Sequence, residues 1–268
     1  MKKYSVLMSV YSKANPHFLK DAIDSMFNQT IMPNEFVVVE DGKLTSKLLQ
    51  VLDSYGNKIK RVHLKDNVGL GLALNEGLQE VTNELVARMD ADDVSVQDRC
   101  EKELLCFEKN TKLDIVGSWI DEYDFNLERT ISTRKVPEKK EDIYNFGKRR
   151  SAFNHPVVMF KKSSVLEVGG YSNLRRNQDI DLFGRMMFSG CDAYNIQESL
   201  LLFRVDNELL IRRKSWENTK LYIKTIYKFW KIGYSSFFDL IFVAGAQLVL
   251  FVTPSSIQQL LYKIFLRK

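Results

Sequence analysis

Val86-Ala87-Arg88-Met89-Asp90-Ala91-Asp92-Asp93 is the stretch on which the fold prediction depends, because a short apolar run ends there in three carboxylates within four positions. The run Leu85–Met89 is typical of a strand buried on both faces of a sheet. In open α/β sheets, ligands collect at the carboxyl ends of the strands, where Asp90 would emerge. Crowded carboxylates are hard oxygen ligands that suit Mg²⁺ or Mn²⁺ bridging to phosphate. The alternative is a solvated acidic turn in which Ser95 caps the next helix.

The preceding segments repeat this pattern of a strand that feeds acidic residues into a loop. Glu35–Val39 is a β-branched run that ends in Glu40-Asp41-Gly42, and Asn15-Pro16 supplies a helix cap with proline at the first helical position. Strands that alternate with helices predict an α/β fold with a parallel sheet and right-handed crossovers. The predicted strands are Tyr4–Val10, Glu35–Val39, Arg61–Leu64 and Leu85–Met89, and the predicted helices are 19–27, Leu44–Tyr55 and Leu70–Val81.

The next hundred residues are less regular. Ser95-Val96-Gln97-Asp98 has the spacing of a cap for a helix to about Lys109, and a strongly charged stretch over 128–151 favours a solvated or mobile active-site loop. Asp114–Ile120 and Val157–Phe160 are predicted strands, Gly169-Gly170-Tyr171 a sharp turn, and 177–188 a helix that begins with Asn177-Gln178-Asp179.

Composition indicates one large α/β domain, or one domain with an appendage, since 45% of the 268 residues are hydrophobic and 27% are charged. Cys100, Cys106 and Cys191 have neither a disulfide framework nor metal-ligand spacing, which favours reduced thiols in a cytosolic protein. Residues 1–10 alternate and lack a small-residue cleavage site, so we interpret them as a first strand and not a signal peptide.

Basic charge is concentrated at the C-terminus. Residues 212–268 contain ten Lys or Arg and two acids, whereas the remaining 29 bases and 32 acids give residues 1–211 a net charge of −3. This asymmetry indicates an anionic surface beside the C-terminal segment. The expected division is a catalytic domain over 1–211 and a basic amphipathic helical segment over 212–268.

The C-terminal segment has three apolar stretches. Trp216–Trp230 is predicted to be a helix with an apolar face and a lysine face, and Leu240–Val252 is apolar but shorter than the roughly 20 residues needed to span a bilayer. Asp239 interrupts the longer run that starts at Phe237, and Pro254 precedes a third predicted helix. We expect these helices to lie on an anionic membrane surface, or alternatively to pack on the catalytic domain or a second subunit.

A glycine-rich segment, Gly69-Leu70-Gly71-Leu72-Ala73-Leu74, is close to the dinucleotide-binding fingerprint. Leu74 replaces its third glycine, and it follows the third strand and not the first. We therefore discount a hydride-transfer enzyme. Asn67 and Gly69 remain candidates for a tight turn whose backbone approaches a ligand, or simply for a turn.

In its ordered motifs the chain resembles the family 2 glycosyltransferases, which are inverting enzymes with a Rossmann-like GT-A fold that use nucleotide sugars. The similarity covers residues 4 to about 205 and is greatest to bacterial enzymes that extend lipid-linked polysaccharide repeat units. The matching segments are Ser9-Val10-Tyr11, Gln29 with Pro33, Glu40-Asp41-Gly42, Asn67 and Gly69 with Asn75, Arg88-Met89-Asp90-Ala91-Asp92-Asp93, Asn154-His155-Pro156, and Gly169-Gly170-Tyr171 before Gln178-Asp179.

This resemblance implies a role for each matching position. Asp90 and Asp92 would hold Mn²⁺ or Mg²⁺ on the donor diphosphate, which stabilises the departing nucleoside diphosphate. Asp179 lies at the motif position of the general base that deprotonates the acceptor hydroxyl. The implied nucleotide-sugar contacts, with a UDP-sugar as the expected donor, are Val10, Tyr11, Glu40, Asp41, Asn67, Gly69, Arg88 and Asp90.

The sequence also departs from the family pattern. Gln178 stands where many relatives have Glu, and Asp181 is a rival base, although a helix would direct Asp179 and Asp181 differently. Leu74 replaces a common Arg, and Asp206 replaces a common His. Three further side chains have alternative roles: Trp119 could stack on an acceptor sugar or lie in the core, His155 could anchor a loop or touch substrate, and Arg185 could pair with an acid or with phosphate.

The expected partners are a nucleotide-sugar, a lipid-linked glycan acceptor and an anionic membrane at the cytoplasmic face of the inner or plasma membrane, where the protein would be peripheral. No nucleic acid is expected, and an oligomer is possible. Two alternatives remain: a nucleotidyltransferase, although Ser9–Asn15 lacks its usual glycine- and lysine/arginine-rich phosphate loop, and an inactive membrane-binding relative.

Overall fold

The computed structural model describes residues 2–205 and 215–253. Its first half alternates strands and helices as predicted, and its four strands are parallel: the first lies between the second and the fourth, and the third lies at the edge beside the second. The elements are β1 (Tyr4–Tyr11), α1 (Pro16–Phe27), β2 (Glu35–Asp41), α2 (Ser46–Asp53), β3 (Lys60–His63), α3 (Leu70–Glu80) and β4 (Leu85–Met89).

The second half extends the same sheet with strands of both directions. Its elements are β5 (Val94–Ser95), α4 (Arg99–Lys109), β6 (Leu113–Tyr123), β7 (Thr130–Arg134), α5 (Lys140–Gly147), β8 (Met159–Lys161), α6 (Lys162–Glu167), α7 (Gln178–Phe188) and β9 (Asp192–Arg204). β8 lies antiparallel between β4 and β6, and β9 pairs parallel with β6. β5 lies at the far edge on β9, and β7 pairs with β6.

Alternating side chains of β1 divide the core into two layers. Val6 and Met8 pack with α1 and α4 on one face of the sheet, while Leu7 packs with α3 and α7 on the other. All three side chains are fully buried. The continuous apolar runs of the strands are thus explained by helices on both faces of the sheet.

Two sequence predictions are corrected in the segment after β4. Ser95 does not cap a helix, because it lies in β5, where its backbone pairs with Leu201 of β9. Helix α4 instead begins at Arg99, and its Cys100 N–H donates to the side chain of Gln29 over 2.9 Å. The hydrogen-bond acceptor for this helix N-terminus is therefore 71 positions away in the sequence, and local sequence spacing could not identify it.

The predicted loop over 128–151 is also wrong, because it contains β7 and α5. Thr133 of β7 donates to Asp121 of β6 over 2.6 Å, and α5 buries Ile143. Their outward charged residues conceal these elements in the sequence. The strand predicted over Val157–Phe160 is shortened to β8 by a 3-10 turn at His155–Val157, and β9 was not predicted.

The second described stretch contains two helices: α8 (Trp216–Lys231) and α9 (Phe237–Val252). Phe229 of α8 covers Gly184 of α7 so closely that a Cβ there would lie 2.0 Å from the phenyl ring. Asp239 does not interrupt the second helix but forms a capping box with Ser236 in its first turn.

Within residues 2–205 and 215–253, no helix combines the length and hydropathy that crossing a bilayer requires. Asp206 and the helix predicted after Pro254 lie outside the described residues.

Candidate active site

Three carboxylates converge where β4 ends. One oxygen each from Asp90, Asp92 and Asp93 lies within 4.8 Å of the others. Asp92 is exposed, Asp90 is half-buried and Asp93 is fully buried. The cluster therefore extends from the protein interior to solvent, as a site that binds a soluble ligand must.

At the buried end of this cluster, one carboxylate oxygen has no hydrogen-bond partner among the described residues. Asp93 accepts the Arg204 backbone N–H on Oδ1 over 3.1 Å, while its Oδ2 is buried and has no hydrogen-bond partner among the described residues. Burial raises the pKa of Asp93 well above its usual range, and the neighbouring charges of Asp92 and Asp90 raise it further. A divalent cation would relieve this repulsion, so the oxygen-rich donor set fits Mg²⁺ or Mn²⁺.

Arg88 supplies the positive charge beneath the carboxylates. Its side chain is 1% exposed and donates through Nη2 to Asp90. Its Nε and Nη1 have no partner among the described residues. Burial lowers the pKa of Arg88, but the charge of Asp90 more than offsets this effect, so the guanidinium stays charged.

The predicted base, Asp179, lies in the first turn of α7 and faces the same guanidinium. Its carboxylate is half-buried, and desolvation raises its pKa, while backbone N–H groups of α7 and the charges of Arg134 and Arg88 act in the opposite direction. The charge of Arg88 thus acts on both Asp90 and Asp179, although these two carboxylates lie on elements far apart in the sequence.

The rival base, Asp181, has other partners. It is 2% exposed and pairs with Arg185 over 2.9 Å, accepts from Ser172, and lies 3.6 Å from Lys228 of α8. Arg185 also donates to the carbonyl oxygens of Val168 and Gly170. Asp181 therefore ties α7 to the preceding loop and to α8, and its carboxylate is not available to a substrate.

His155 and Tyr171 form the wall beside Asp179. The His155 ring nitrogen Nε2 lies 2.8 Å from the Tyr171 hydroxyl, and both side chains are buried. Burial lowers the pKa of His155 well below its usual range, and the nearby charge of Arg88 lowers it further. A neutral His155 thus anchors its loop, in agreement with one of the two roles considered for it. The Asn75 side chain donates to the Tyr171 carbonyl and accepts from the Tyr171 backbone N–H, each over 2.8 Å.

The predicted nucleoside contacts lie at the ends of β1 and β2. Asp41 accepts from the backbone N–H groups of Val68 and Gly69, and from the Asn67 side chain, over 2.7–3.1 Å. Gly69 has a φ of +89°, which favours glycine. Asp41 therefore shapes the turn around Asn67 and Gly69, and the tight turn predicted there is present.

Other predicted nucleoside contacts differ in exposure. Val10 is fully buried, whereas Tyr11 is 41% exposed and pairs in register with Asp41. Glu40 is buried, and its two oxygens face Arg61 and His63 of β3. The exposed Tyr11 ring is thus the more accessible surface at this edge.

Two arginines near the carboxylates were not among the predicted site residues. Arg134 ends β7, and its charge acts on Asp179. Arg204 is the last residue of β9. Its guanidinium donates to the Asp92 carbonyl oxygen over 2.6 Å and to the Asp21 carboxylate over 2.8 Å. Both lie on strands that were not predicted, so no local signal placed them here. Trp119 is half-buried, and its indole N–H donates to the Val136 carbonyl.

Comparison with known proteins places this site in a family. The sequence matches the family described as Glycosyl transferase family 2 over residues 5–169, which includes both acidic strand ends. The chain belongs to glycosyl transferase family 2. It is therefore a glycosyltransferase, and membership in this family replaces the nucleotidyltransferase alternative.

Two curated relatives of this family 2 glycosyltransferase match most of its length. One is the Escherichia coli UDP-Gal:alpha-D-GlcNAc-diphosphoundecaprenol beta-1,3-galactosyltransferase, which is 37% identical over 268 residues that cover 99% of this chain and 97% of the relative. Another is the amylovoran biosynthesis glycosyltransferase AmsE of Erwinia amylovora, 32% identical over 219 residues, or 81% of this chain and 82% of AmsE. The predicted family, polysaccharide synthesis included, is confirmed by these relatives.

A solved structure confirms the GT-A fold. The mannosyltransferase PcManGT of Pyrobaculum calidifontis, in complex with GDP-Man and Mn²⁺, superposes with a TM-score of 0.66 over 94% of this chain and 70% of that one. The two sequences are 16% identical, so this likeness concerns the fold alone.

Proposed function

We propose that this protein is a metal-dependent inverting glycosyltransferase that moves a sugar from a UDP-sugar to a hydroxyl group of a lipid-linked glycan in bacterial surface polysaccharide synthesis. The observation that carries the proposal is the shared position of Asp90 and Asp179 beside the buried guanidinium of Arg88. One carboxylate belongs to a cluster suited to a cation, and the other lies outside that cluster and has a raised pKa. This division separates leaving-group stabilisation from proton abstraction.

Asp90 and Asp92 would hold the cation, with Asp93 behind them, and Asp41 would keep the turn around Gly69 in place for the nucleotide. A bound divalent cation supplies charge neutralisation for the nucleoside diphosphate. Arg88 holds Asp90 at the strand end.

Asp179 would accept the proton of the acceptor hydroxyl through its carboxylate. The acceptor oxygen then forms a bond to the anomeric carbon as the bond from that carbon to the diphosphate oxygen breaks, and the nucleoside diphosphate leaves with the electron pair. This single displacement inverts the anomeric configuration and needs no enzyme nucleophile, unlike retaining glycoside hydrolysis. Desolvation raises the pKa of Asp179, which increases the basicity of its carboxylate.

The donor and acceptor classes are supported by a relative of nearly the same length. The Escherichia coli galactosyltransferase is named for UDP-Gal and for a GlcNAc-diphosphoundecaprenol acceptor, and it aligns with 99% of this chain. We therefore propose a UDP-sugar donor and an acceptor sugar attached to a polyprenyl diphosphate, in a protein that is peripheral to the cytoplasmic face of the membrane.

The surface of α9 supports this membrane location. Phe238 is 80% exposed, and Phe242 and Ile241 are 61% and 54% exposed. Arg149 lies against Phe242, with its guanidinium carbon 5.0 Å from the ring centroid. Aromatic and aliphatic side chains beside cations are typical of a helix that lies in the interface of an anionic leaflet.

The base assignment is tested by Asp179→Asn. We expect sugar transfer to fall by a factor of about 10² or more, the scale of general-base catalysis, while UDP affinity measured by calorimetry is retained. Asp142→Asn is the matched control, because Asp142 is an exposed carboxylate in α5. Retained turnover in Asp179→Asn would remove Asp179 as the base.

A further inference from the structure

Beside the base-bearing helix lies a small cleft of about 10 Å³ that the proposed reaction does not use. One wall is the segment after α5, and the other is the side of α7 that begins at Ile180, the residue next to Asp179. The floor is apolar, and a guanidinium is the charged group among its lining residues. These lining residues include Gly147, Arg150, Phe153, Ile180, Phe183 and Met187.

Arg150 has no carboxylate partner among the described residues. Its guanidinium carbon lies 3.8 Å from the Phe146 ring centroid, and burial lowers the pKa of this arginine. Its two basic neighbours are both occupied: Arg149 pairs with Asp239, and Lys148 donates to Asn145 over 3.0 Å. A half-buried guanidinium without a counter-charge is costly unless an anion joins it.

The backbone around Arg150 is held in place by the C-terminal helices. Ser235 donates to the Lys148 carbonyl over 2.7 Å, and Tyr222 donates to the Arg149 carbonyl over 3.1 Å. Tyr234 donates to the Tyr144 carbonyl at the other end of α5 over 2.9 Å. The arginine is thus presented by a fixed loop, as preorganised anion recognition requires.

The segment that follows Arg150 leads directly to the catalytic group. Phe153 and His155 contact the Phe183 ring of α7, with ring centroids 5.1 and 5.8 Å apart. His155 then bonds Tyr171, whose pKa responds to the charge of Asp179. The cleft and the base therefore lie along the same helix, within a few residues of each other.

We propose that Arg150 binds the diphosphate of the lipid-linked acceptor. The inference rests on the proposed function, since it concerns the acceptor of that reaction. When the acceptor sugar is joined directly to a polyprenyl diphosphate, a single sugar ring separates the attacking hydroxyl from the first phosphate. A phosphate subsite must then adjoin the base, and guanidinium is well suited to phosphate oxygens.

The position of Arg150 also indicates where the polyprenyl chain of the acceptor would lie. Arg149, the residue before Arg150, stacks on Phe242 of the exposed apolar face of α9. A diphosphate at Arg150 would place the polyprenyl chain toward Phe238 and Phe242, at the surface proposed to meet the membrane.

The test measures steady-state transfer to two detergent-soluble acceptors that carry the same sugar, one on a short-chain lipid diphosphate and one on an uncharged alkyl chain. For Arg150→Gln we expect KM for the diphosphate acceptor to rise about ten- to a hundredfold. UDP affinity, donor KM and transfer to the uncharged acceptor should be unchanged. Arg129→Gln is the charge-matched control, because Arg129 is exposed between β6 and β7.

An unchanged KM for the diphosphate acceptor in Arg150→Gln would overturn the proposal. An equal loss on both acceptors would also overturn it, because it would indicate damage to the fold or to the shared sugar site. A third arm measures sedimentation with phosphatidylglycerol vesicles; lost vesicle binding without a change in KM would reassign Arg150 to bulk lipid headgroups. If wild-type protein transfers no sugar to either acceptor, the proposed function fails and not the subsite alone.

Discussion

Removing the charge of Arg88 tests whether this guanidinium holds the acidic strand end together. In Arg88→Met, the replacement fills similar volume but leaves Asp90 and Asp93 without their positive neighbour. Arg88 is 1% exposed and the Asp90 side chain is 27% exposed. Removing one partner of a fully buried pair costs about 3–5 kcal/mol, and the partial exposure of Asp90 places this case near the lower end, at about 3 kcal/mol.

The assay is urea unfolding of wild type, Arg88→Met, Asp90→Asn and the double variant at pH 7.5. Because Arg88 donates directly to Asp90, we expect the two substitutions to couple by about 2 kcal/mol. Arg129→Met, at an exposed position, should change the free energy of unfolding by less than about 0.5 kcal/mol. A loss below about 1 kcal/mol in Arg88→Met, or additive effects of the two substitutions, would refute this account of the strand end.

Two further predictions concern stability and membrane binding. Burial raises the pKa of Glu103 to about 7 from 4.5, against the opposing charge of Arg99, so the folded protein keeps a proton that the unfolded chain releases. The free energy of unfolding should therefore fall by up to about 3 kcal/mol as the pH rises from 4.5 to about 7. In Glu103→Gln this dependence of the free energy of unfolding on pH should become weaker, and an unchanged dependence would contradict the raised pKa of Glu103. Truncation after about Arg213 would remove the C-terminal helices, but it would also remove Phe229, which is 1% exposed and packs on α7. The double variant Phe238→Gln, Phe242→Gln instead alters exposed positions, and it should lower binding to anionic vesicles at least about tenfold without lowering the melting temperature; unaltered sedimentation would exclude this face as the anchor.

The first half of the fold could be predicted because its patterns are local. Strands such as β4 are buried on both faces and therefore appear as uninterrupted apolar runs, and Asn15 caps α1 as its spacing indicates. The acidic ends of β2 and β4 followed from the same reasoning, since neighbouring parallel strands end at one edge of the sheet.

The second half depends on contacts between distant residues. β9 contains buried polar groups such as Asn195, which donates to the carbonyl oxygens of Pro137 and Ala152, so its sequence does not alternate as an independent strand would. Its register against β6 also shifts repeatedly. Arg204 enters the site on this strand, and only the tertiary structure brings it to Asp93.

The choice between Asp179 and Asp181 shows a similar limit. Both carboxylates lie in the first turn of α7, and helical spacing indicates only that they point in different directions. Asp181 is excluded by the partners that it finds on other elements, Ser172 and Lys228. The sequence could thus supply the two candidates, and packing distinguishes them.

The most direct test of the proposed site is the affinity for UDP, measured by isothermal titration calorimetry with and without Mn²⁺. For wild type we expect Mn²⁺ to tighten binding at least about tenfold, and for Asp92→Ala we expect most of this gain to disappear. Asp142→Ala, which removes an exposed carboxylate of α5, should behave as wild type. If Asp92→Ala keeps the full Mn²⁺-dependent gain, the carboxylates of Asp90, Asp92 and Asp93 do not form the metal and diphosphate site.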